Sequence, residues 1–192
     1  MAQEKWPHTG AILCGGSSSR MGAPKHELKL PGGRTMIQTV VDTVEEVCRC
    51  IVILGPDAIL PDLPHVHDLR NDQGPLAGIE SLLASGLDEH YLVVPCDVPL
   101  ITEELLRRLT IESDSLATVF RIEGSDSLES LPLRISSMAH NAASSHLDAG
   151  SRAVHRLLND MTRQEVILTP SETRALRNIN TPEAYRRLTH TE

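Results

Sequence analysis

Aromatic residues are scarce in this sequence: its 192 residues include one Trp, two Tyr and one Phe. Recognition of a base by stacking on aromatic rings therefore has few candidates, and backbone contacts are better placed to read a base. Basic residues are outnumbered, with 18 Lys and Arg against 26 Asp and Glu, which argues against a nucleic-acid site built from a basic face. We expect an anionic substrate to be held by local cations together with a metal ion.

Cysteine and long apolar runs are also limited. The four cysteines, at positions 14, 48, 50 and 96, form no C-x-x-C pair, and His65 and His67 lack the further ligands of a zinc site, so we interpret both as surface histidines. No apolar run approaches the length of a membrane span, and residues 1–8 do not resemble a signal peptide. The sequence therefore predicts one cytoplasmic domain with reduced thiols and no membrane partner.

A glycine- and serine-rich segment is the most informative feature that is present. Residues 10–25 read GAILCGGSSSRMGAPK, an apolar run followed by small residues and then by Arg20 and Lys25. Small side chains let backbone N–H groups crowd onto an anion, so a strand followed by this loop favours polyphosphate binding. The spacing fits neither G-x-x-x-x-G-K-[ST] nor G-x-G-x-x-G, which disfavours P-loop kinases and Rossmann dehydrogenases. A simple surface turn is the alternative reading.

Apolar runs and helical periodicity alternate along the rest of the chain. Thr35 and Gln38 form a predicted capping box, and Gly74-Pro75 predicts another helix start. The predicted strands cover residues 11–14, 51–54, 66–68, 90–95, 116–122, 131–135 and 166–169, and the helices begin near residues 35, 74, 102, 137, 151 and 181. This order predicts a three-layer α/β/α sandwich with a mainly parallel, mixed sheet.

Several short motifs together resemble the molybdenum cofactor guanylyltransferase family of nucleotidyltransferases. They are Leu13-Cys14-Gly15-Gly16, Ser19-Arg20-Met21-Gly22 with Lys25, Asp68, Gly74-Pro75-Leu76-Ala77-Gly78, Pro95-Cys96-Asp97-Val98-Pro99 and Asn178-Ile179-Asn180-Thr181-Pro182. The resemblance spans nearly the whole chain. It implies a nucleotide-diphospho-sugar transferase architecture and transfer of GMP from GTP to the terminal phosphate of molybdopterin, with release of pyrophosphate.

The resemblance also implies roles for individual residues. Lys25, Arg20 and Asp97 would be catalytic, with Asp97 also binding Mg²⁺. The nucleotide would contact Leu13, Cys14, Gly15, Gly16, Lys25, Asp68 and Asp97, and the acceptor would contact Asn178 and Asn180. The N-terminal half would thus bind nucleotide and the C-terminal half the acceptor, and molybdoenzymes or other cofactor-assembly proteins are candidate partners.

Position alone leaves some of these roles open. Asp97 follows a predicted buried strand and could equally cap a helix, while Asp68 and the two asparagines could serve as turn or cap residues. Glycine at position 15 predicts that the protein prefers GTP to CTP, because a glycine leaves the main chain accessible where the edge of a purine approaches. The cytidylyl members of the resembled superfamily typically have alanine there.

The chain departs from the family pattern in three places, and other functions remain as alternatives. Cys14 replaces a commoner alanine, Leu54 stands where an asparagine contact to the nucleotide is expected, and residues 136–149 match loosely. The alternatives are a nucleotidyltransferase that uses CTP or a sugar or alcohol phosphate, and a non-catalytic GTP-binding regulatory domain.

Overall fold

The fold is a three-layer α/β/α sandwich, seen in a computed structural model that describes residues 4–14 and 28–189. Its strands are β1 (Trp6–Leu13), β2 (Cys48–Leu54), β3 (His65–Val66), β4 (His90–Pro95), β5 (Ala117–Ile122), β6 (Leu128–Ser136) and β7 (Arg163–Leu168). Its α-helices are α1 (Met36–Val47), α2 (Pro75–Ala84), α3 (Glu103–Leu109), α4 (His140–Asp148), α5 (Val154–Asn159) and α6 (Pro182–Thr189). The predicted architecture is confirmed.

The seven strands form one mixed sheet in the order β3-β2-β1-β4-β6-β5-β7. The first four strands along the chain are parallel to one another, β6 is antiparallel to both β4 and β5, and β7 is parallel to β5. In the central strand β1, Leu13 pairs with Leu54 on one side and Pro95 on the other. Three parallel strands therefore end together at one edge of the sheet.

Apolar side chains on the two faces of the sheet form two cores. Helices α1 and α3 contribute to the core on one face, which includes Ile12, Val94 and Leu106. Helices α2, α4 and α5 contribute to the core on the other face, which includes Tyr91 and Leu82. Alternate residues of the central strands point to opposite faces, which explains why these strands are apolar throughout.

The predicted helix starts are confirmed where a local cap defines them. The Thr35 Oγ1 accepts a hydrogen bond from the Gln38 amide at 3.3 Å, and the Gln38 side chain accepts one from the Thr35 amide at 3.0 Å. Gly74 is the N-cap of α2 with a φ of 73°, and Pro75 is its first residue. Glycine suits that position because a positive φ costs other residues about 1–2 kcal/mol.

Several predicted boundaries are wrong. The segment expected to form one helix from Ser137 divides into a 3₁₀ turn over Ser137–Ala139 and then α4. Ser151 does not cap the next helix, which begins at Val154. Strand β6 begins at Leu128, three residues earlier than expected, because its pairing with β5 continues past a register shift.

A polar cluster lies at the opposite edge of the sheet, where β1 and β4 begin. Asp88 accepts hydrogen bonds from Thr9 Oγ1 at 2.9 Å and from the Glu89 amide at 2.8 Å, and its Oδ1 lies 2.6 Å from His8 Nδ1. Burial acts to raise the pKa of Asp88, but the hydrogen bonds from His8, Thr9 and Glu89 together lower it. This carboxylate joins two strand starts on the side remote from the strand ends.

His65 is a further correction to the sequence analysis. Its side chain is only 7% exposed, and its Nε2 lies 2.8 Å from the Ile59 carbonyl oxygen, whereas His67 is 62% exposed as expected. The short strand β3 pairs with β2 and places His65 against the protein.

Within the described ranges, no helix has the length and apolar character required to cross a membrane.

Candidate active site

A cleft of about 1050 Å³ opens where β1, β2 and β4 end. It is lined by the strand ends, by the start of α2 and by residues from the second half of the chain. Among the predicted site residues, those that line it are Leu13, Cys14, Asp68, Asp97 and Asn178. Open α/β sheets bind ligands at the carboxyl ends of their strands, so the position fits a binding site.

The other predicted site residues are not among the described residues that line the cleft. Gly15, Gly16, Arg20 and Lys25 lie outside the described residues, so their predicted roles stay predictions. Asn180 is partly buried. Of the two asparagines predicted to bind the acceptor, Asn178 is among the described residues that line the cleft and Asn180 is not.

Backbone contacts fix the end of β1 between its two neighbours. The Cys14 amide donates to the Leu54 carbonyl at 2.9 Å, and the Cys96 amide donates to the Leu13 carbonyl at 3.1 Å. Gly55 packs directly on this end: a Cβ added there would lie 2.8 Å from the Cys14 carbonyl oxygen, at a φ of 152°. The last residue before the glycine-rich segment is therefore held tightly in the sheet.

The thiols of Cys14 and Cys96 lie beside each other in the cleft. A hydrogen bond with Cys96 and then burial raise the pKa of the Cys14 thiol. Cys14 is buried, whereas Cys96 is partly exposed, and none of the four cysteines is in a disulfide. Cys14 therefore stays protonated and neutral next to the site.

Asp97 lies in the turn directly after β4, half-buried, with the cleft in front of it. Its backbone carbonyl accepts a hydrogen bond from the Ile179 amide at 2.8 Å. This contact brings the C-terminal asparagine motif to the same turn as the carboxylate, since Asn178 and Asn180 flank Ile179. The structure thus places the motif predicted to bind acceptor beside the residue predicted to bind metal.

The donor set around Asp97 can be compared with the needs of Mg²⁺. No group of three or more His, Cys, Asp or Glu suited to a metal ion occurs among the described residues. Mg²⁺ commonly takes one or two carboxylates and completes its octahedron with waters and substrate phosphates. One carboxylate, contributed by Asp97, fits an ion shared with a nucleotide, and does not fit a closed protein cage.

Asp68 lies on the other wall of the cleft, next to α2. A Cβ added at Gly78 would lie 3.4 Å from Asp68 Oδ1 and 3.0 Å from Leu13 Cδ1, so the missing side chain lets the helix approach both residues. Burial raises the pKa of Asp68. The Leu69 amide donates to Ser81 Oγ at 2.8 Å, which attaches the Asp68 segment to the same helix.

Arg70 fixes this segment further by joining two helices. Its Nε donates to Glu80 Oε2 at 3.0 Å, its Nη1 to Asp148 Oδ1 at 2.6 Å and its Nη2 to Ser144 Oγ at 3.0 Å. Glu80 is only 3% exposed, so the ion pair also neutralises a buried carboxylate. The loop that contains Asp68 is consequently held in place by contacts with α2 and α4.

Leu54 explains one departure from the family pattern. Its side chain is a hydrocarbon with no hydrogen-bond donor, and it is 1% exposed and packs in the apolar core under α2. Its backbone carbonyl, in contrast, holds the Cys14 amide. The position contributes to the site through the main chain and through packing.

Sequence reasoning missed several residues that line the cleft. They are Gly55, Pro56, Ile59, residues 128–131 and residues 153–155. The Gly55-Pro56 pair had a signal, because it ends a predicted strand at the ligand-binding edge of the sheet. The two later segments had none, since neither contains a motif and each reaches the cleft only through the tertiary fold.

Comparison with known proteins places this fold in a family. The model of the MobA-like NTP transferase domain matches residues 10–168. The chain belongs to that family. The molybdenum cofactor guanylyltransferase of Xanthomonas euvesicatoria is 32% identical over 187 residues, which cover 96% of this chain and 95% of that protein. The predicted family resemblance is thereby confirmed.

Solved structures show the same fold. The molybdopterin-guanine dinucleotide biosynthesis protein A from Archaeoglobus fulgidus superposes with a TM-score of 0.77 at 21% identity, covering 95% of this chain and 97% of that one. A Mycobacterium tuberculosis protein crystallised in complex with manganese gives a TM-score of 0.67 at 19% identity, covering 98% and 100% of the two chains. A divalent metal is thus present in one protein of this fold.

Proposed function

We propose that this protein transfers GMP from GTP to the terminal phosphate of molybdopterin cofactor and releases pyrophosphate. Relatives at about 30% identity over most of the chain have the name molybdenum cofactor guanylyltransferase. The observation that supports the proposal most directly is the convergence of motif residues on one cleft: Leu13, Cys14, Asp68, Asp97 and Asn178 all line it, although they come from four separate parts of the chain.

In this proposal each half of the chain binds one of the two substrates. Residues of the N-terminal half, including Asp68 and the Leu13–Lys25 segment, would bind GTP, and Asn178 and Asn180 would bind the acceptor within the same single domain. The hydrogen bond from the Ile179 amide to the Asp97 carbonyl supports this division, because it sets the acceptor motif against the turn that follows β4.

Charge at the reacting phosphates would be balanced by few side chains. Asp97 would hold Mg²⁺, which when bound supplies positive charge to the phosphate oxygens. Lys25 and Arg20 would neutralise the charge that develops as pyrophosphate leaves. The acceptor phosphate would attack the α-phosphorus in line, so no covalent intermediate with the protein is required. None of the four cysteines is in a disulfide, and we propose the cytoplasm, where thiols persist, as the compartment.

The experiment is a nucleotide and acceptor panel. Purified protein is incubated with each of the four NTPs and Mg²⁺, either without acceptor, with molybdopterin, or with a sugar or alcohol phosphate, and both pyrophosphate and dinucleotide are quantified. We expect both products only with GTP and molybdopterin together. Equal turnover with CTP would favour a cytidylyl enzyme, pyrophosphate with a sugar or alcohol phosphate acceptor would change the acceptor class, and GTP binding without either product would favour the regulatory alternative.

A further inference from the structure

Cys14 and Cys96 occupy equivalent positions at the ends of neighbouring strands. The pairing of β1 with β4 runs in register to Leu13 and Pro95, and each cysteine is the next residue. Both side chains pack on the same face of the sheet, against the core that includes Ile12 and Val94. Adjacent strands are about 4.8 Å apart, which lies within the Cα separation that a disulfide spans. Their thiols are in hydrogen-bond contact.

The two thiols differ in their access to solvent. Cys96 is partly exposed and Cys14 is buried, yet both line the cleft. Cys48 and Cys50 lie at the start of β2, which is the opposite edge of the sheet. An oxidant that enters the cleft therefore meets Cys96 first, with Cys14 directly behind it.

We propose that Cys14 and Cys96 form a site of reversible oxidation, in which a hydroperoxide converts the pair to a disulfide that blocks nucleotide binding. In the first step the Cys96 sulfur takes the terminal peroxide oxygen: an S–O bond forms, the O–O bond breaks, and one molecule of water or alcohol leaves with the thiol proton. In the second step the Cys14 sulfur attacks Cys96, the S–S bond forms, the S–O bond breaks and water leaves with the second proton. The two thiols lose two electrons and the peroxide gains them.

The disulfide would change the geometry of the nucleotide site. The S–S distance falls from a non-bonded contact to about 2.05 Å, so the two side chains take new positions in the cleft and the ends of β1 and β4 become fixed to each other. Cys14 directly precedes the glycine-rich segment, and Cys96 directly precedes Asp97. One covalent bond therefore acts on both segments that the proposed function assigns to GTP.

The first measurement maps the bond and does not depend on activity. The reduced protein is treated with hydrogen peroxide, alkylated and digested with trypsin without reduction. Trypsin leaves Cys14 in residues 6–20 and Cys96 in residues 71–107, so the disulfide joins two identifiable peptides. We expect this cross-link in the parent protein and in a Cys50→Ala control, and we expect dithiothreitol to remove it. A cross-link only between other cysteines, or none, would overturn the proposal.

The second measurement compares GTP affinity of each protein before and after oxidation, so that each reduced protein is its own reference. We expect oxidation to weaken GTP binding at least tenfold in the parent and in Cys50→Ala, and much less in Cys14→Ala and Cys14→Ser, where no disulfide can form. An equal loss in the Cys14 variants would assign the effect to Cys96 alone and overturn the disulfide as its cause. This arm rests on the proposed function: if no reduced protein binds GTP, that function fails while the peptide map still tests the disulfide.

Discussion

Replacement of Gly55 by alanine tests how tightly the end of β1 must be held. The new Cβ would lie 2.8 Å from the Cys14 carbonyl oxygen, which is backbone and cannot rotate away. Overpacking of this kind costs about 1–3 kcal/mol. The φ of 152° adds a backbone strain of order 1–3 kcal/mol, because L side chains rarely adopt it. Together these terms predict a loss of ~2–6 kcal/mol in the free energy of unfolding.

Gly124→Ala is the matched control. Gly124 also has a positive φ, 74°, but an added Cβ there would meet no atom within 4 Å, so only backbone strain of about 1–2 kcal/mol is expected. The two variants should therefore differ by roughly 1–3 kcal/mol in denaturant unfolding, or about 2–12 °C in Tm for a domain of this size.

We expect the two variants to differ more in activity than in stability. Gly55→Ala must displace the residue that leads into the glycine-rich segment, and a shift near 1 Å in a positioned group can lower turnover about 100-fold. We expect kcat/KM for GTP to fall by that order in Gly55→Ala and to remain near normal in Gly124→Ala. Equal stability and equal kinetics in the two variants would show that the end of β1 yields freely, and would refute the tight-packing argument.

Three further predictions concern charge. Asp97→Asn should abolish turnover while the protein stays folded, because the amide keeps the shape without the charge that holds Mg²⁺. Asp62→Asn, at an exposed position, is the control. Near-normal pyrophosphate release by Asp97→Asn would refute the metal assignment. Asn180→Asp should weaken molybdopterin binding by like-charge repulsion with little effect on GTP, whereas equal losses in calorimetry would indicate a structural role. The lowered pKa of Asp88 contributes stability that is present above its unfolded pKa of about 3.9 and is lost as pH falls through the folded value. Urea midpoints should therefore decrease below about pH 5 more steeply in the parent than in Asp88→Asn, and parallel curves would exclude this linkage.

Local signals explain which parts of the fold could be predicted from the sequence. Continuous apolar runs identified the buried central strands, and the caps at Thr35 and Gly74 identified two helix starts, because each of these features acts within a few residues. The position of Asp97 followed from the same logic, since a parallel strand ends where its apolar run ends.

The parts that could not be predicted depend on contacts between distant segments. The start of β6 at Leu128 is set by pairing with β5, and its first residues are only half-buried, so no apolar run identifies them. His65 is buried by its contact with Ile59 and not by any pattern of its own. The walls contributed by residues 128–131 and 153–155 exist only once β6 and α5 are packed.

The reversal of β6 has a consequence for how the shape of the cleft could change. Because β6 runs against β4, its beginning rather than its end reaches the ligand edge, and residues 128–131 form part of the cleft wall. They follow directly from the short connection between Ile122 and Leu128, which contains no helix. Insertions or deletions in that hairpin connection would reshape one wall while leaving the strand ends of β1, β2 and β4 untouched. The shape of the cleft can therefore diverge by changes in loop length, independently of these strand ends.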